Sequence, residues 1–151
     1  MRIVIQRVSE ASVEIEGKTR SKIGKGLLIL LGIENEDEQL DADYLVQKLF
    51  NLRIFSDDEG KMNLSIKDVD GEFLVVSQFT LHASTKKGNR PSYIRSARPE
   101  HAIPLYNYFI EQLKSKNQKP VQTGEFGADM QVCLINDGPV TIILDSRNKD
   151  Y

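Results

Sequence analysis

Two short polar segments each interrupt an apolar run. Ser77-Gln78-Phe79-Thr80-Leu81 follows Phe73-Leu74-Val75-Val76. Asn136-Asp137-Gly138-Pro139-Val140-Thr141 lies between Val132-Cys133-Leu134-Ile135 and Ile142-Ile143-Leu144. Polar side chains at the end of a buried strand must find partners or face a cleft. Strand ends also expose backbone N–H groups, which can stabilise the oxyanion of acyl transfer or ester hydrolysis. The alternative is structural: Ser77 bonds locally and Gln78 caps the sheet edge. The residues by themselves leave both readings open.

Familiar catalytic sets are missing. The chain has two histidines, His82 and His101, neither with a partner at metal-ligand spacing, and one cysteine, Cys133. No metal and no cofactor is expected. There is no Gly-rich phosphate loop and no G-x-S-x-G elbow. Ser77 or Thr80 would need a positioned base to act as a nucleophile. His82 is the nearest in sequence, and its plainest reading is an exposed loop residue. Cys133 reads as a small packed side chain within a strand.

The charge pattern is uneven although the formal net charge is only −2. Glu34, Glu36, Asp37, Glu38, Asp41 and Asp43 occupy residues 34–43 without a base, which suits the start of a helix. Lys86, Lys87, Arg90, Arg95 and Arg98 lie in 82–98 without an acid. That block reads as a phosphate-facing surface or as a solvated loop.

The elements that must position these residues follow from periodicity. Ile3–Val8 and Ser12–Glu16 read as strands, and Leu27–Ile33 as a strand buried on both faces. Asn35 with Glu38 resembles a capping box. The helix after it places Leu40, Tyr44, Leu45, Leu49 and Leu52 on one stripe. Phe73–Phe79 is a second buried strand. His82–Pro99 has no period and is long for a connection, as functional loops often are. A second helix carries Ile103, Tyr106, Ile110 and Leu113, with Pro104 expected to start or kink its regular part. Asn-Asp-Gly suggests a hairpin turn joining Met130–Ile135 to Val140–Leu144. The Gly138-Pro139 bond is expected to be trans from X-Pro statistics alone. The 151 residues, 40% hydrophobic and 28% charged, fit one domain spanning 1–151. The fold class expected is α/β: a mixed, largely antiparallel and barrel-like sheet with two main helices packed on one side. The longest apolar run, Leu27–Leu31, is far too short for a bilayer. No signal-peptide pattern opens the chain. The lone cysteine suits a reducing compartment, so the cytoplasm is the expected location.

Along nearly its whole length the chain resembles bacterial D-aminoacyl-tRNA deacylases. The matching segments are Met1-Arg2 through Ile5-Gln6-Arg7-Val8, Asn51-Leu52-Arg53-Ile54-Phe55, Ser77–Leu81, and Lys87-Gly88-Asn89-Arg90-Pro91-Ser92. Thr123 with Phe126-Gly127-Ala128 and Met130, and Asn136–Thr141, complete the set. Small departures fall at His82, Asp129 and Gln131, outside the two central motifs. The resemblance implies hydrolysis of the ester joining a D-amino acid to the terminal adenosine of tRNA, and removal of glycine from mischarged tRNA. It places Ser77, Gln78, Phe79 and Thr80 at the reacting ester, and Phe79, Phe126 and Met130 around the adenosine. It makes Lys86, Lys87 and Arg90 candidates for tRNA backbone contact. It further implies a homodimer in which a cis Gly138-Pro139 motif, supported by Arg7, reaches into the partner's active site.

The implied mechanism uses no side-chain nucleophile. The 2′-hydroxyl of the terminal ribose helps activate water, and backbone N–H groups around Gln78 and Phe79 polarise the ester. Carbonyls of the Gly-Pro motif would exclude an L side chain by a built-in clash. Two other readings are carried: a non-catalytic module holding the tRNA acceptor end, and a Ser/Thr-nucleophile hydrolase of small D-amino acid esters.

Overall fold

The computed structural model describes residues 1–150. Eight strands and two helices follow one another as β1 (Arg2–Ile15), β2 (Lys18–Ile23), β3 (Gly26–Gly32), α1 (Gln39–Asn51), β4 (Phe55–Ser56) and β5 (Met62–Leu64). Then come β6 (Glu72–Ser77), α2 (Pro99–Lys116), β7 (Val121–Thr123) and β8 (Gln131–Asp145). A 3-10 turn, Phe79–His82, follows β6 directly. The main sheet runs β2-β1-β3-β6-β7, and β8 pairs with β1; β4 and β5 form a separate two-stranded ribbon. β3–β6 and β6–β7 are parallel, and the other main-sheet pairs are antiparallel. The sheet is therefore mixed, as expected.

The apolar run 27–31 becomes β3, in the middle of the sheet and covered on both sides. Leu27, Ile29 and Leu31 join Phe73 and Val75 beneath the helices, while Leu28 joins Leu74 and Val76 on the other face. Both helices lie over the first face. α1 buries Ala42, Leu45, Val46, Leu49 and Phe50, and α2 buries Leu105, Tyr106, Phe109, Ile110 and Leu113. Leu40, placed by periodicity on the buried stripe, is exposed.

The opposite face is covered by the sheet itself. β1 and β8 stay paired along their whole lengths, but the pairing is irregular around Arg7 and Val8. Beyond that bend, Ala11 and Val13 of β1, Ile23 of β2, and Val132 and Leu134 of β8 pack on Leu28, Leu74 and Val76. This overlap gives the barrel-like form.

Three local expectations are corrected. The reciprocal capping box at α1 is formed by Glu38 and Asp41, three residues after the Asn35–Glu38 pair. Asn35 is instead drawn to the 82–98 loop, its amide donating to Ile94 O at 3.1 Å. α2 begins at Pro99 and runs through Pro104. Pro99 stands at the helix start, where a missing N–H costs nothing, and the apolar face of α2 holds the helix across the single bond lost at Pro104. Finally, Asn136–Val140 is not a hairpin turn. β8 continues in one direction, and Asp137, Gly138, Pro139 and Val140 bulge out opposite Arg7, between the pairs Gln6–Thr141 and Val8–Asn136.

Candidate active site

The parallel strands β3 and β6 both end at one rim, as Leu31 pairs with Ser77. Crevices beyond the carboxyl ends of parallel strands are the usual ligand sites of α/β sheets. A cavity of about 280 Å³ opens there. Its walls include Leu31, Ile33, Val76, Ser77, Gln78, Phe79, Phe126, Gly127, Ala128 and Met130. The structure thus brings together Ser77, Gln78, Phe79, Phe126 and Met130 of the sequence-predicted residues.

The backbone of the Ser77 segment is arranged unevenly. Gln78 N–H donates to Leu31 O at 2.7 Å, and Leu81 N–H to Gln78 O at 3.2 Å. The amides of Phe79 and Thr80, first in the 3-10 turn, have no acceptor among the described residues, as befits a helical start. The resemblance implies polarising amides around Gln78 and Phe79. The Gln78 amide belongs to the sheet, while the Phe79 amide and its neighbour at Thr80 are left without an acceptor among the described residues.

Thr80 Oγ1 accepts a hydrogen bond from Gln78 Nε2, which fixes both side chains within the segment. Among the described residues no base is hydrogen-bonded to it. His82 is not an exposed loop residue: it is 1% exposed, because the 3-10 turn tucks its ring under the end of β3 against Gly32. Its Nδ1 lies 3.2 Å from Glu34 Oε1. Burial holds the imidazole pKa below its ordinary value, opposed by the Gly32 backbone and the Glu34 carboxylate. Among the described residues no three His, Cys, Asp or Glu side chains converge as a metal-holding group.

Several positioning residues carried no sequence signal. Arg2 Nη1 donates to Leu81 O at 2.9 Å while Nε donates to Asp145 at 3.0 Å, tying the 3-10 turn to the end of β8. Ser96 Oγ donates to Phe79 O at 2.9 Å. Tyr106 O–H donates to Val75 O at 3.1 Å, and its ring meets Phe126 edge-on at 5.7 Å. Burial pushes the Tyr106 hydroxyl up to about 12, so it stays protonated as a donor. On the adjoining wall, a Cβ at Gly124 would lie 2.5 Å from Met130 Sδ, so a larger residue there would push that thioether from its present seat.

The second motif lies elsewhere. Gly138, Pro139 and Arg7 do not line the cavity. Gly138–Pro139 is a cis peptide, and Gly138 has φ +136°. Arg7, 7% exposed, donates from Nε to Asp137 O at 2.9 Å and from Nη1 to Ile54 O at 2.6 Å. Asn136 closes the bulge, its Oδ1 accepting from Val140 N–H at 2.8 Å. Lys86, Lys87 and Arg90 stand exposed on the loop whose base is pinched by paired Ser84 and Ser92, with N···O distances of 2.8 and 2.9 Å.

This is a mixed-sheet α/β fold with a cleft at the strand ends and, among the described residues, no hydrogen-bonded side-chain nucleophile–base pair. The chain belongs to the D-Tyr-tRNA(Tyr) deacylase family, whose model matches residues 4–145. D-aminoacyl-tRNA deacylases of Flavobacterium psychrophilum and Porphyromonas gingivalis are 63% and 62% identical to it over 150 residues, 99% of this chain and 100% of theirs. Among solved structures, a c-Myc DNA Unwinding Element Binding Protein superposes with a TM-score of 0.91 at 45% identity, covering 96% of this chain and 98% of that one. A probable eukaryotic D-amino acid tRNA deacylase has a TM-score of 0.77 at 17% identity over 95% of this chain and 98% of its own, a likeness of fold alone.

Proposed function

We propose that the protein hydrolyses the ester of D-aminoacyl-tRNA, releasing free D-amino acid and tRNA. The observation that carries this reading is the pair of amides at Phe79 and Thr80 that find no acceptor among the described residues, with Phe79 itself lining a cleft walled by Phe126 and Met130. The ester carbonyl oxygen takes the place facing those amides. Adenine lies against Phe126 and Met130, where an aromatic face and a soft thioether suit a base. Water adds to the ester carbon, and negative charge gathers on the oxygen held by the two N–H groups. The bond to the ribose oxygen then breaks, and that oxygen takes up a proton. The ribose 2′-hydroxyl helps activate the water, which fits the lack of any base hydrogen-bonded to Ser77 or Thr80 among the described residues. Glycyl-tRNA is a second substrate of the same site, since glycine presents no side chain to exclude.

The working unit is a homodimer in the cytoplasm. Among the described residues β8 pairs with β1 alone, leaving its other edge open, and Ile135 and Ile143 are exposed on either side of the Gly138-Pro139 bulge. An unpaired apolar edge invites a second chain. The bulge stands outside its own cleft, and its carbonyls would limit the partner's site on the side of an L side chain. No helix among the described residues is long and apolar enough to cross a membrane.

Incubating purified protein with D-tyrosyl-tRNA and L-tyrosyl-tRNA tests the reading. Fast loss of the D ester alone is expected. Loss of both at the spontaneous rate would leave only an acceptor-end binding module.

A further inference from the structure

Phe79 is 56% exposed, Tyr93 39% and Ile94 82%, although these are large apolar side chains. Phe79 and Tyr93 meet edge-on with ring centroids 5.0 Å apart. Phe79 borders the cavity and Tyr93 does not, so Tyr93 extends the apolar surface outward from the cleft mouth.

This surface is held still from beneath. Asn35 Nδ2 donates to Ile94 O at 3.1 Å, and Asn35 N–H to Arg95 O at 3.3 Å. Ser96 N–H donates to Tyr93 O at 3.0 Å, and Ala97 N–H to Ile33 O at 2.9 Å. Ser92 is paired with Ser84 just before Tyr93. Arg95 lies 2.5 Å from Glu34, which also faces the buried His82. The backbone is therefore pinned on both sides of Tyr93-Ile94 while their side chains face solvent. Apolar side chains fixed in place while facing water are the kind of surface that contacts a partner. In the same 82–98 segment, Lys86, Lys87, Arg90 and Arg98 form no ion pair among the described residues, and the segment contains no acid. Aromatic faces beside unneutralised cations are the combination that binds single-stranded nucleic acid.

We infer that Tyr93 and Ile94 form a stacking ledge for the unpaired nucleotide preceding the terminal adenosine of the tRNA substrate, with Lys86, Lys87 and Arg90 facing the phosphates beyond it. The inference rests on the proposed deacylase reading and deepens it. The cleft takes the aminoacylated adenosine, and the ledge takes its 5′ neighbour. Stacking tolerates any base, so the ledge supplies affinity for a single-stranded 3′ end without sequence choice.

The test compares kcat/KM for D-tyrosyl-tRNA and for D-tyrosyl-adenosine in the wild type and in Tyr93→Ala, Tyr93→Phe and Ile94→Ser, with circular dichroism as a check on folding. Tyr93→Ala is expected to lose about 5- to 150-fold on the tRNA, the range for one lost base stack. Its loss on D-tyrosyl-adenosine is expected to be at least about fivefold smaller. Tyr93→Phe should restore most of the tRNA activity. Equal losses on both substrates would overturn the inference, because Tyr93 would then act only through Phe79. So would an unchanged rate on tRNA. Titration calorimetry with the dinucleotide CpA and with adenosine gives a readout without turnover. Wild type is expected to prefer CpA, and Tyr93→Ala to lose that preference. If wild type binds both alike, the ledge fails even if the enzyme is active. If wild type hydrolyses neither ester, the deacylase reading fails and takes the ledge with it.

Discussion

Arg7 grips Asp137 at two points: Nε donates to its backbone oxygen at 2.9 Å and lies 3.3 Å from its carboxylate. The remaining arm holds Ile54 O at 2.6 Å, so one guanidinium joins the Gly-Pro bulge to the segment after α1. Lysine cannot make both contacts, because it lacks the planar fork. Arg7→Lys is expected to cost about 1–3 kcal/mol, the price of a buried carbonyl left unpaired. Urea unfolding measures that loss. The same variant is expected to lower the ratio of D- to L-tyrosyl-tRNA cleavage, because the bulge is no longer held.

Gly138 sits at φ +136°, and a Cβ there would meet Val140 Cγ2 at 2.7 Å and Arg7 Nη2 at 3.0 Å. Gly138→Ala is therefore expected to displace the bulge and abolish discrimination against L-tyrosyl-tRNA. If the bulge serves the neighbouring subunit, mixing an inactive Phe79→Pro chain with a Gly138→Ala chain restores one site per heterodimer with correct discrimination. No recovery on mixing would place the motif in its own subunit's site.

Phe79→Pro removes one of the two free amides at a position where proline suits the start of a helical turn. Phe79→Ala removes the ring and keeps the N–H. The proline variant is expected to lose about 100- to 1000-fold more in kcat than the alanine variant, the scale of one oxyanion donor. Thr80→Ala and Ser77→Ala are expected to retain activity. Their inactivity would favour a side-chain nucleophile instead.

His82 gives a pH test. Burial lowers its folded pKa below the ordinary 6.5, with Glu34, the N-terminal amine and Arg2 as the charges facing it. Between the folded value and 6.5 the unfolded chain binds more protons than the folded one, so stability rises with pH there. The contribution is complete above about 6.5 and is lost as pH falls through that window toward the folded value. His82→Gln is expected to flatten this part of the melting-temperature profile, measured between pH 5 and 7.5. An unchanged slope would mean that the ring titrates freely.

The central strands were legible because their chemistry is local: β3 and β6 are continuous apolar runs, and the parallel interior requires such runs. The cleft rim at Ser77 was legible for the same reason, a polar break where an apolar strand ends. The bulge at Asp137–Val140 was not. Asn-Asp-Gly has the composition of a hairpin turn, and only the pairing of β8 with the full length of β1 decides that the chain goes straight on. His82 was misplaced because a residue shortly after a strand reads as loop, while the 3-10 turn folds it back under Gly32. Arg2, Ser96 and Tyr106 act through backbone carbonyls distant in sequence, which no spacing rule reports.

The bend in β1 has a consequence for how the molecule opens. Ile3 and Ile5 belong to the core beneath the helices, and Ala11 and Val13 to the core on the opposite face, on one uninterrupted strand. Neither core can come apart without peeling the strand that runs through the other. Amide hydrogens at the two ends of β1 should therefore exchange with solvent together, as one cooperative unit with a shared opening free energy.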